Sequence, residues 1–242
     1  MFSATDYHKL YQIMDESPEK KELLTRLLDS HRVEVSTLSH EIRNPLTLVY
    51  SYLQLIEAKH PEVSTFQYWS HLHQDIEYMK CLLEELSVYN NSDKLHYTEI
   101  DTTSFFRMAA LSFASTLVDT DIQFISNIES SLPVIFCDSV KLRQVLTNLF
   151  VNAKEASGHS HPVIHFSVYA KDHSLIITIS DNGCGIEKEC LSTIFEPFVT
   201  YKKNGTGLGL AIISRIVHAH HGTIEVSSTP GVLTTFTLTL PI

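Results

Sequence analysis

The chain has 242 residues, 43% of them hydrophobic and 19% charged, which suits one large core or two ordinary ones and excludes a disordered chain. Eighteen Lys/Arg against 28 Asp/Glu give a net charge of −10 with no basic run, which argues against binding nucleic-acid phosphate. No apolar run reaches the roughly 18 residues of a membrane span, no leader pattern opens the chain, and Cys81, Cys137, Cys184 and Cys190 lack zinc spacing, so a soluble, cytoplasmic chain with free thiols is expected.

From Glu22 onward, apolar residues recur at helical spacing: Leu24, Leu28, Val35, Leu38, Ile42, Val49 and Ile56. Within this stretch His40 lies two positions from both Leu38 and Ile42, so it points away from the core. Asn44 shares the face of His40 one turn on, and Glu41 is its neighbour. Pro45 removes a helix bond to the Glu41 carbonyl and is expected to bend the helix. On these residues alone, an ordinary surface histidine on a flawed helix remains open.

After Lys59-His60-Pro61 a second run begins, with Trp69, Leu72, Ile76, Met79, Leu83 and Leu86 at heptad spacing. Two long helices joined by a short connection form a helical hairpin. One hairpin does not bury both seams, whereas two make a four-helix bundle, so a homodimer is expected. A coiled coil within the chain, or a hairpin packed on the rest of it, is the alternative.

Asn90-Asn91-Ser92-Asp93 breaks the helical pattern and places a boundary. Beyond it, β-branched runs at 122–128, 134–137, 163–169, 175–180, 223–226 and 233–240 alternate with helical patterns near 102–118, 140–157 and 206–220. The expectation is an α+β chain overall, an antiparallel helical hairpin followed by an α/β or α+β sandwich with one mixed sheet. The divisions are a helical lead-in at 1–29, the hairpin at 30–92 and the sandwich at 93–242. The fourteen histidines, His218, His220 and His221 among them, read as surface or packing residues rather than metal ligands.

Five of the eight glycines fall in two stretches, Asp181-Asn-Gly183-Cys-Gly185 and Gly205-Thr-Gly207-Leu-Gly209. The second opens a helix, whose first N–H groups favour phosphate. It lacks the Lys-Ser/Thr of a P-loop and the βαβ context of a dinucleotide fold, and alone does not establish phosphate binding. Asn148 and Asn152 share one face of the helix at 140–157, either as ligands or as solvent-facing amides.

Together these stretches resemble sensor histidine kinases. Ser39-His40-Glu41-Ile42-Arg43-Asn44-Pro45-Leu46-Thr47 resembles the family's H box, and Asn148-Leu-Phe-Val-Asn152-Ala-Lys-Glu-Ala its N box. Asp181-Asn-Gly-Cys-Gly-Ile, Ile194-Phe-Glu-Pro-Phe198 and Gly205-Thr-Gly-Leu-Gly-Leu resemble the first glycine box, the F box and the second glycine box. All five occur in the family's order over about residues 30–242, with variants most like its sporulation and nitrogen-regulation branch.

The resemblance implies the fold of the histidine kinase, Hsp90 and gyrase ATPases behind a dimerising hairpin. It implies that His40 accepts a phosphoryl group from ATP and passes it to an aspartate of a cognate response regulator, with Glu41 as base. Asn44 would serve regulator dephosphorylation. Asn148 and Asn152 would face the nucleotide, with Asn152 on Mg²⁺, and Asp181 would accept from the adenine amino group. Gly183 and Gly185 would let their loop close on the nucleotide. A lid at 196–206 would carry Lys202 toward the terminal phosphate, and Gly205, Thr206, Gly207, Leu208 and Gly209 would supply contacts there. Hydrolases of the wider superfamily carry a glutamate where this chain has Asn148, so transfer is favoured over hydrolysis. A phosphotransferase, phosphatase or adaptor on the same scaffold is the alternative. The family's last glycine motif departs here to Gly231-Val-Leu233-Thr-Thr-Phe236. The short stretch before the H box implies either a piece of a longer kinase or a kinase signalled by a separate sensory or regulatory protein.

Overall fold

A computed structural model describes Ile13 and residues 17–158, 161–202 and 205–242. Most of the first half of the 1–29 lead-in, and positions 203–204 of the lid, lie outside the described residues. The chain divides into two compact units, Met1–Asn91 with Thr200–Leu208, and Ser92–Val199 with Gly209–Ile242.

In the first unit, α1 runs over Pro18–Lys59. The Ser17 hydroxyl caps it by accepting the Lys20 N–H, and Pro18 sits in the first turn, where its missing N–H costs nothing. Helix α1 continues through Pro45, and downstream the Thr47 hydroxyl donates to the Arg43 carbonyl. A 3₁₀ turn at Pro61–Thr65 and Tyr68 in the left-handed region lead into α2, Trp69–Asn90.

The expected hairpin forms, but only the α2 seam divides into buried and exposed members; of the α1 seam, Leu24, Leu28 and Val35 are half-buried and none is buried. Ser39 and Leu53 of α1 and Ile76 and Leu83 of α2 are buried within the single chain. Leu38 (56% exposed), Ile42 (54%), Val49 (44%), Ile56 (41%), Leu72 (43%) and Met79 (43%) are not. A seam at heptad spacing is a stripe about two residues wide, and one partner helix covers only one edge of it.

The second unit starts with β1, Thr98–Ile100, and α3, Thr102–Ser115, whose N-cap Asp101 accepts the Ser104 N–H. Then come β2 (Gln123–Ile128), β3 (Ile135–Cys137), α4 (Ser139–Ala156), β4 (Val163–Lys171), β5 (Ser174–Asp181), α5 (Gly209–Ala219), β6 (Thr223–Thr229) and β7 (Leu233–Pro241). The main sheet has the order β2-β4-β5-β7-β6, with β2 and β4 parallel and the other pairs antiparallel. The single mixed sheet expected from the sequence is thus two sheets. Strand β3 pairs antiparallel with β1, a three-residue strand too short to show a period.

Strict alternation in β5 buries Leu175, Ile177 and Ile179. Against the sheet, Phe106 of α3 and Phe150 of α4 both meet Phe166 of β4, and Phe113 stacks on Phe150 at 4.4 Å. The opposite side of the sheet carries hydroxyls paired across strands, Ser167 with Thr178 and Thr235 with Ser180.

A buried polar knot fixes the start of α4. N-cap Asp138 accepts the N–H groups of Val140 and Lys141 on one oxygen and of His96 on the other. Against the upward push of burial, these donors hold its carboxyl below the usual value. Buried His220 accepts the Asp138 N–H at Nε2 and donates from Nδ1 to the Ile216 carbonyl, so its neighbours fix the neutral Nδ1–H form. Burial also holds its pKa below the ordinary imidazole value, against the opposing Ile216 carbonyl and Asp138 charge. Of the surface and packing roles the sequence leaves open, this histidine takes the packing one.

Because the unfolded chain binds the His220 proton more readily, this contribution is complete above about pH 6.5 and is lost as pH falls below it. The Asp138 contribution is lost only below about pH 4. The denaturation midpoint should therefore drop between about pH 7 and pH 5, and less steeply in His220→Gln. Identical slopes in the two proteins would refute the assignment.

Candidate functional site

On α1, His40, Glu41 and Asn44 are all exposed. Exposure follows from helical phase, since the preceding Ser39 is 2% exposed and its hydroxyl bonds the Val35 carbonyl against α2. The partner at His40 Nδ1 is Arg43, whose Nη1 lies 3.2 Å away. Arg43 also reaches α2, where Nη2 donates to the Leu83 carbonyl at 3.3 Å. Arg43 stands within the stretch that resembles the H box. The available signal was its i+3 spacing from His40.

The second unit holds the other chemistry. Asn148 and Asn152 are half-buried on one face of α4, above the buried ridge of Val145, Leu149 and Ala153. Asp181 ends β5, is 4% exposed and accepts the Gly183 N–H at 3.0 Å. Asn182 anchors the same turn, accepting the Val163 N–H and donating to the His161 carbonyl.

The glycines of this turn answer to protein neighbours. A Cβ at Gly183 would collide with the Ala156 carbonyl at the end of α4. Gly185 has φ +77°, and a Cβ there would strike Pro230 in the β6–β7 connection. Both glycines thus let the 181–185 turn pack between α4 and that connection, which holds Asp181 in place. The bonds from Cys184 N–H to Ala156 and from Gly231 N–H to Cys184 close the same junction. The departure at Leu233 is harmless locally, because Leu233 is an exposed strand residue opposite Thr229.

Of the later motifs, Ile194 is buried and Phe195 meets the Phe236 ring edge-on. Lys202 is exposed, while Gly205, Thr206 and Gly207 are half-buried and Leu208 is fully buried. A Cβ at Gly205 would collide with the Thr200 hydroxyl, and Gly207 has φ +73°. In the first unit, the Thr206 hydroxyl donates to the Glu85 carboxylate of α2, a contact that no sequence pattern announced. Gly209 begins α5, with open space where a side chain would stand.

Within the units, then, the structure joins His40 to Arg43, sets Asn148 beside Asn152, and locks Asp181 to Gly183. No group of three or more His, Cys, Asp or Glu residues suited to a metal occurs among the described residues, so a cation here would depend on the asparagines and on the ligand's own oxygens. No helix among those residues is long and apolar enough to cross a membrane.

Residues 30–93 match the family model described as His Kinase A (phospho-acceptor) domain. Residues 137–242 match the model described as Histidine kinase-, DNA gyrase B-, and HSP90-like ATPase. The signal transduction histidine-protein kinase AtoS of Escherichia coli is 31% identical over 95% of this chain and 39% of its own length. Sporulation kinase B of Bacillus subtilis is 30% identical over 95% of this chain and 55% of its own. The chain therefore spans about half, or less, of the curated relatives it matches. Among solved structures, full-length ShkA in complex with AMPPNP aligns with a TM-score of 0.71 at 26% identity, over 86% of this chain and 45% of that one. The catalytic domain of histidine kinase ThkA aligns with a TM-score of 0.55 at 27% identity, over 60% of this chain and 95% of that one.

Proposed function

The chain belongs to the histidine kinase family, and from that premise we propose that it autophosphorylates on His40 from ATP and passes the phosphoryl group to a response-regulator aspartate. The observation that carries this reading is one chain holding both an exposed imidazole beside a carboxylate and a buried, turn-locked Asp181 next to an asparagine-bearing helix.

His40 supplies the nucleophile, since a neutral imidazole keeps a lone pair near physiological pH. Exposed Glu41 takes its proton. Asp181 accepts the adenine amino group through its remaining acceptor capacity. The amide oxygen of Asn152 would hold Mg²⁺, with Asn148 on the same face, and the cation would supply charge neutralisation at the phosphates. Lys202 and the 205–209 glycine run serve the terminal phosphates. The functional divisions are the lead-in at 1–29, the phosphoacceptor hairpin at 30–92 and the ATP-binding unit at 93–242. The chain works as a cytoplasmic homodimer with a cognate regulator.

Labelled ATP with Mg²⁺ tests the reading. The label should be acid-labile and base-stable, as phosphohistidine is, and absent from His40→Gln. A label that persists in His40→Gln would overturn it. A second activity is supported by exposed Asn44, one turn from His40, whose amide can position a water but cannot move a proton. Asn44→Ala should keep autophosphorylation within about threefold while removing dephosphorylation of the regulator, the size expected of a surface change away from the proton path. Loss of both activities in a folded Asn44→Ala protein would remove that separate role.

A further inference from the structure

We propose that Arg43 is a positioning residue that holds His40 in a resting tautomer unable to attack, an inference that rests on His40 being the phosphoacceptor. A guanidinium has N–H donors and no acceptor, so its contact with Nδ1 decides which ring nitrogen carries the proton. At 3.2 Å from Arg43 Nη1, Nδ1 accepts with its lone pair, and the proton of the neutral ring sits on Nε2. Neither nitrogen is then a nucleophile. The Nδ1 lone pair is engaged, and Nε2 has none to offer.

Arg43 is built into the hairpin and is not a loose surface side chain. It lies half-buried on the α1 face that meets α2, and its Nη2 donates to the Leu83 carbonyl at 3.3 Å. That second bond sets the reach of the guanidinium from the opposite helix. Arg43 Nε is buried with no hydrogen-bond partner among the described residues. An unmet buried donor makes the resting arrangement costly to keep, as a restraint that must release His40 requires.

Release follows from the same geometry. When Arg43 withdraws from Nδ1, the ring proton can occupy Nδ1, where a carboxylate can receive it, and Nε2 gains the lone pair for attack. Glu41 is exposed and adjacent in sequence. A small shift of α2 against α1 at Leu83 moves the anchor of Arg43, so the register of the two helices sets the fraction of reactive rings. The restraint concerns the proton's position alone, and no bond to phosphorus is involved.

The test reads the ring directly in the full chain labelled with ¹⁵N-histidine, with the His40 signals assigned by their loss in His40→Gln. Above the ordinary imidazole range, the wild-type His40 ring should be almost wholly the Nε2–H form. In Arg43→Met, which keeps the apolar stem and removes the donors, the Nδ1–H form should appear. Labelling of His40 from ATP should then rise roughly five- to tenfold, the size of one hydrogen bond, with the KM for ATP unchanged. Arg43→Lys, which keeps a donor, should fall between the two. A predominant Nδ1–H form in the wild type overturns the proposal without any variant. So does an Arg43→Met protein with an unchanged tautomer or a slower rate. If His40→Gln still becomes labelled, the phosphoacceptor reading fails, while the tautomer measurement on the wild-type ring still decides what Arg43 does.

Discussion

Replacing Glu41 by Gln is expected to slow phosphorylation of His40 by about 10²–10⁴-fold, the range typical of a general base. The substitution keeps shape and helix propensity and removes the negative charge together with the ability to take a proton. Glu41 is exposed, so its loss leaves no buried partner unpaired and the protein should fold as before. The measurement is the initial rate of label incorporation at saturating ATP. Binding contributes little to that rate, so a change in it reports the proton-transfer step. The loss should appear in kcat with the KM for ATP nearly unchanged. A rate within a factor of about three of wild type would show that the ring proton leaves directly to water. Asn148 offers no substitute base on α4, because an amide does not accept a proton near neutral pH.

The sequence carried the hairpin, the order of helices and strands in the sandwich, and the motif positions, because each rests on a local period or on a chemically distinctive residue. What it did not carry is tertiary. Strand β1 spans only Thr98–Ile100, shorter than one recognisable alternation, and its existence depends on β3 lying opposite. The knot of Asp138, His96 and His220 joins residues 82 positions apart, and nothing near His220 in sequence marks it as buried. Gly183 and Gly185 looked like ligand-facing glycines. Their neighbours are Ala156 and Pro230, so their conformational freedom serves the packing that positions Asp181. Arg43 was visible in its motif, but its contact with Leu83 is set by the approach of α2, which no spacing in α1 encodes.

The uneven burial of the apolar seams changes which residues test assembly. Ile76 is 2% exposed and Leu83 9% exposed in the single chain, where they face α1. An aspartate at either place would bury a charge inside the hairpin and cost several kcal/mol of folding, so loss of dimer there would not distinguish assembly from unfolding. Val49 at 44% and Met79 at 43% exposure are the better pair. They adjoin the contact between Tyr50 and Lys80, whose ammonium lies 4.0 Å from the ring centroid, so both helices are altered at one level. In an isolated protomer, Val49→Asp with Met79→Asp places two charges in water at little cost. In a four-helix bundle, the same change buries unpaired carboxylates on both protomers at a few kcal/mol each. The dimer dissociation constant should therefore rise by at least roughly a thousandfold, with helix content and the thermal transition of the monomer retained. Sedimentation at several concentrations reads the first quantity and circular dichroism the second. A double variant that sediments as a dimer at wild-type affinity would show that the Leu38–Ile42–Val49–Ile56 edge of α1 is covered by something other than a second copy of the chain.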